Sequence, residues 1–142
     1  MFNRKISHLY SSTSPSAKTL DIIAHHDRTT INTRNQIINT LEIFASEQRQ
    51  IDYKKSVPFV HIPDEIIAQW HGYQELNKRD WYIKIWHESE LKSIENFDLT
   101  LKPSLNCLSN VSDIPEILLK KEWTDIMEAA DECLKCLNSN YA

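Results

Sequence analysis

Apolar positions recur at helical spacing along most of the chain. Ile37, Leu41, Phe44, Gln48 and Ile51 follow at intervals of four, three, four and three, and Ile38 and Ala45 widen the stripe. Arg34, Asn35, Asn39, Glu42 and Arg49 fill the opposite face. A pattern of this kind buries one side of a helix, so it predicts a helix over 31–53, ended by Val57 and Pro58. Upstream, Leu20, Ile22 and Ile23 predict one or two helical turns before the polar Asp27–Thr30 segment interrupts them. Residues 1–16, with the SSTSPS run, read as a flexible leader, and 17–142 as a single helical domain.

Ser56–Ile62 is extended and apolar and leads to Pro63-Asp64-Glu65, where an early proline and two acids suit the positive end of a helix. Ile66, Ile67, Trp70 and Tyr73 then share a face, and Gly72 is placed to let a neighbouring element approach. Trp81, Ile83 and Ile85 alternate with Tyr82, Lys84 and Trp86, which fits a strand. The same run fits one or two helical turns, and helix is favoured because no second strand pairs with it. Leu91, Ile94, Phe97 and Leu101 mark a helix from Glu88 that Pro103 should end or kink. Asp113-Ile114-Pro115-Glu116 has capping-box spacing and marks a restart. Trp123, Met127, Ala130, Leu134 and Leu137 make 121–138 the most regular amphipathic helix. The expected fold is mainly α: one compact domain of about five helices with little or no sheet.

Composition sharpens what this domain can do. A single glycine in 142 residues removes the phosphate-cradling loops, which need several. A formal charge of -4, with basic pairs scattered between acidic segments, argues against nucleic acid as partner and suits docking to a basic protein. No apolar run follows the N-terminal basic residues, so neither signal peptide nor membrane span is expected, and the chain reads as cytoplasmic. Cys107, Cys133 and Cys136 are an odd set, expected to be reduced.

No constellation reads as catalytic, cofactor-binding or metal-binding. His87-Glu88 opens like a zinc-protease motif, but Leu91 stands where the second histidine is required. Cys133-Leu134-Lys135-Cys136 lies near a helix C-terminus, where the dipole disfavours a thiolate, so packing thiols are expected. The acids Asp125, Glu128, Asp131 and Glu132 read as a solvated helix face. Asp98 occupies an otherwise apolar register, which places it either at a core edge with a partner or on a binding surface.

Three pieces, HIPDEIIAQWHGY (61–73), WHESELKSIENFD (86–98) and IPEILLKKEWTDIMEAADECLKCL (114–137), resemble a loose group of small bacterial immunity proteins, the antidotes to contact-dependent and other polymorphic secreted toxins. The resemblance implies a non-enzymatic protein that binds and neutralises a cognate nuclease or other effector domain. Acids complementary to a basic toxin surface, and an aromatic anchor, would then do the binding. The expected set is Asp64, Glu65, Glu88, Glu90, Glu95 and Asp98, with Trp81 or Trp86 as anchor. The rivals are an adaptor domain that receives a peptide helix on the tryptophan-rich stretch, and a hydrolase whose histidines and carboxylates converge only in space.

Overall fold

The computed structural model describes residues 17–107 and 112–139, with side chains placed for 28–105 and 112–137. The leader 1–16 and the Cys107 thiol lie outside the described residues. Among the described residues six α-helices follow in order: α1 (Ala17–Ala45), α2 (Glu47–Ser56), α3 (Ile62–Gln74), α4 (Asp80–Lys84), α5 (Glu88–Cys107) and α6 (Lys121–Ser139). Single 3-10 turns occupy Glu75–Lys78 and Glu116–Leu119, and no strand occurs among the described residues. The fold is therefore mainly α, and the ambiguous segment after Arg79 is helical.

Several boundaries differ from those the pattern predicts. α1 runs unbroken through Asp27–Thr30, because polar side chains without proline or glycine do not stop a helix. The helix expected over 31–53 is instead cut at Ser46. This residue is extended (φ -116, ψ 115), and its side chain accepts from the Arg49 N–H to start α2. The break turns Gln50 fully inward and leaves Gln48 exposed. Gly72 is exposed, and a Cβ at this position would meet nothing within 4 Å, so it serves no close approach. Pro103 lies inside α5 rather than ending it. The ring costs one backbone hydrogen bond, while buried Leu101 and half-buried Leu105 hold the helix on the core to either side.

Asp113 does not open a helix. Its Oδ1 accepts from the backbone N–H groups of Ile62 (3.0 Å) and Ile114 (2.7 Å), and its Oδ2 pairs with Lys54 Nζ at 2.6 Å. Lys54 Nζ also donates to the Val60 carbonyl at 2.8 Å. One carboxylate thus joins the end of α2, the start of α3 and the segment before α6. Burial alone would raise its pKa, but the Lys54 hydrogen bond and the two N–H donors hold it below the usual aspartate value.

The core is strung on a chain of rings, one from each main helix. Trp70 of α3 meets Phe97 of α5 edge-on, with centroids 4.8 Å apart; Phe97 meets Phe44 of α1 at 5.3 Å, and Phe44 meets Trp123 of α6 at 6.0 Å. All four are buried, and edge-to-face contact adds to the area they remove from water. α6 packs antiparallel to α5, since Ser93 faces Cys133 while Ser89 faces Cys136. α3 also runs counter to α5: Trp70 reaches Asp98, and the first residue of α3 is held by Asp113, beyond the far end of α5.

Candidate functional site

α5 carries polar side chains on several of its faces. Its outward face carries Glu88, Lys92, Glu95, Leu99 and Lys102, all exposed, with Leu99 at 60%. The face turned towards α6 contributes Ser93, Asn96, Phe97 and Thr100, and the face turned towards α3 and α4 contributes Leu91, Ile94, Glu95 and Asp98. Period 3.6 places these groups on different sides of one cylinder. α5 is therefore a ridge with a hollow on each flank.

The hollow towards α6 is a groove of about 890 Å³, bordered by Thr100 on α5 and by Asp125, Glu128, Asp131 and Glu132 on α6. A recess of about 350 Å³ shares Thr100, Ala129 and Glu132 with it and extends it to Ser93 and Cys133. Lys121 meets Asp125 at 2.9 Å, and Lys135 meets Asp131 at 3.3 Å and Glu132 at 3.4 Å. These exposed pairs are weak and exchangeable. Glu128 has no ion-pair partner among the described residues. The four acids are solvated, as the pattern predicts, and they also form one wall of this open groove.

The hollow towards α3 and α4 measures about 250 Å³ and is lined by Gln74, Asn77, Tyr82, Leu91, Ile94, Glu95 and Asp98. Asp98 sits at the core edge: Oδ1 accepts from Trp70 Nε1 at 3.0 Å, and Oδ2 pairs with Lys102 at 2.9 Å. Tyr82 is 2% exposed, yet its hydroxyl has no hydrogen-bond partner among the described residues; the same holds for Gln74 Nε2 and Trp86 Nε1. Burial pushes the Tyr82 phenol up to about 12. The neighbouring Trp86 and Gln74 side chains offset only part of that shift, because the loss of solvation is the larger effect.

Two expected contact residues belong to the interior. Glu90 is fully buried and forms a two-pronged pair with Arg34, at 2.8 and 3.1 Å. Its Oε1 also accepts from the His87 N–H at 2.9 Å. Burial opposes its ionisation, but Arg34 and the His87 N–H together keep its pKa below the ordinary glutamate value. Trp86 is 6% exposed and lies under the Arg34 guanidinium, 4.7 Å from the ring centroid. Glu90 and Trp86 are thus withdrawn from any binding surface, and Trp81 is half-buried against the core. Asp64 and Glu65 stand at the start of α3 beside the Asp113 junction, whereas Glu88 opens α5 at the opposite end. The 20 residues of α5 separate those ends by about 30 Å. Of the expected acids, Glu88, Glu95 and Asp98 share the ridge.

Cys133 is buried against Ser93 Oγ at 3.5 Å, and burial pushes its thiol up to about 11. Burial, more than the helix dipole, therefore keeps it protonated. No helix among the described residues is long and apolar enough to cross a membrane. No protein-family model matches the chain, and no curated protein or solved structure matches it.

Proposed function

We propose that the chain is a non-enzymatic immunity protein that binds a cognate secreted toxin domain, a nuclease or other effector with a basic surface, and neutralises it. The observation that carries this reading is the groove between α5 and α6, walled by Asp125, Glu128, Asp131 and Glu132. On the ridge Glu88 and Glu95 add acceptors among the exposed Lys92 and Lys102, and Leu99 offers an apolar contact at its centre. A basic substrate-binding face would be steered to such a surface and held astride α5. The bacterial partner class comes from the sequence resemblance; the groove supplies the charge complement. An adaptor built on the tryptophan-rich stretch has less to recommend it, since Trp70 and Trp86 are buried.

The test is co-expression with the toxin domain encoded beside this chain's gene. Growth should be rescued by the native chain and lost with Glu128→Lys/Glu132→Lys, a pair of exposed sites whose exchange leaves the core intact. Failure of the native chain to rescue any adjacent toxin would refute the reading.

A further inference from the structure

We propose, resting on the toxin-binding reading above, that the hollow between α3, α4 and α5 is a pocket for one arginine side chain of the basic partner. Its size is the first reason. At about 250 Å³ it falls below the roughly 300–1,000 Å³ of ordinary small-molecule sites, and it suits a single long side chain. Its lining is the second. Glu95, Asp98 and Asn77 offer acceptors along it, and Tyr82, whose buried hydroxyl has no hydrogen-bond partner among the described residues, lines it as well. A planar guanidinium presents several N–H donors in fixed directions and can meet separate acceptors at once, which an ammonium cannot.

Lys102 provides the third reason. It is 65% exposed, and its ammonium reaches back to Asp98 Oδ2 at 2.9 Å. The rim therefore already draws a cation from its own helix. Because that pair is exposed on the lysine side, it exchanges readily, and an incoming guanidinium would take its place. Glu95 has no ion pair of its own among the described residues, so it stands ready to become the second carboxylate of the site. Trp70 holds Asp98 Oδ1, which leaves Oδ2 as the oxygen that pairs with a cation.

The probe is N-acetyl-arginine methylamide, titrated into the full chain and followed by nitrogen-edited NMR at the indole N–H of Trp86 and Trp70 and the side-chain amide of Gln74. The arginine probe should give saturable shifts at these groups, and the uncharged citrulline analogue none. Lys102→Ala should tighten binding severalfold by releasing Asp98, and Glu95→Gln should weaken it about tenfold, the scale of one charge-assisted hydrogen bond. Gain of binding in Lys102→Ala cannot arise from misfolding. Equal response to citrulline, shifts that never saturate, or an unchanged affinity in Lys102→Ala would each overturn the pocket. Arginine binding without protection from any adjacent toxin would leave the pocket standing and remove the immunity reading. Protection by a chain whose hollow ignores arginine would do the reverse.

Discussion

The indole N–H of Trp123 donates to Gln50 Oε1 at 3.0 Å across a sequence separation of 73 residues. Gln50 Nε2 in turn donates to the carbonyls of Ile43 (2.9 Å) and Phe44 (3.0 Å) in the last turn of α1, which ends at Ala45. One buried amide therefore caps the end of α1 and ties α2 to α6. Gln50→Leu should destabilise the chain by about 2–4 kcal/mol, the sum of the orphaned partners less the apolar gain. Urea unfolding should show this as a lower midpoint with an unchanged slope. A loss below about half a kcal/mol would show that the amide does not hold these elements together.

Tryptophan substitutions should rank by what each indole N–H holds. Trp123→Phe strands Gln50 Oε1 in the interior, whereas the Trp86 N–H has no partner to strand among the described residues. By that difference Trp86→Phe should cost about 1–2 kcal/mol less than Trp123→Phe. Thermal melts of the two variants check the order, and a reversed order would mean that Tyr82 depends on Trp86 after all.

The Arg34–Glu90 pair should respond asymmetrically to removal. Glu90→Gln leaves the guanidinium uncompensated among buried groups and should cost about 3–5 kcal/mol, while Arg34→Met/Glu90→Leu should cost much less than the two single changes added together. A double-mutant cycle by urea unfolding measures the coupling. Additive losses would show that the two groups act independently.

Acid stability follows from the depressed carboxylates Glu90 and Asp113, whose unperturbed values are 4.5 and 3.8. Both lie lower in the folded state, so their stabilisation is fully present above those values and is lost as pH falls through the folded ones. The melting temperature should stay level from neutrality to about pH 5 and drop below it. Asp113→Asn should flatten that drop; a variant with the native acid slope would exclude Asp113 as a contributor.

Alkylation should separate the two described thiols. Cys133 is 2% exposed with its pKa pushed up to about 11, while Cys136 is partly accessible. At about pH 8, iodoacetamide followed by peptide mass spectrometry should label Cys136 well before Cys133. The raised Cys133 and Tyr82 values also imply stability that declines as pH rises from their unfolded values of 9.0 and 10.0 towards the folded ones. Early labelling of Cys133 in the folded chain would show that its neighbourhood opens.

The last helix was legible because its partners all lie on one side, so Trp123, Ala130, Leu134 and Leu137 repeat cleanly and are buried. The stop at Ser46 was hidden because the apolar stripe runs through it; the serine followed by Glu47 was the available sign. Glu90 could not be told from Glu88 or Glu95 by pattern alone. What buries it is Arg34, 56 residues away, and local periodicity carries no trace of so distant a partner. The groove was hidden for the same reason: the acids of α6 are plain in the sequence, but the Thr100 wall opposite them is supplied by another helix.

Pro103 gives α5 one more property. It brings no N–H to the carbonyl of Leu99, so the helix lacks a rung where its outward side chain is 60% exposed. The crest of the ridge therefore combines an exposed apolar side chain with a main-chain step that lacks its usual helical donor, and substitution of Leu99 alone would not restore that rung.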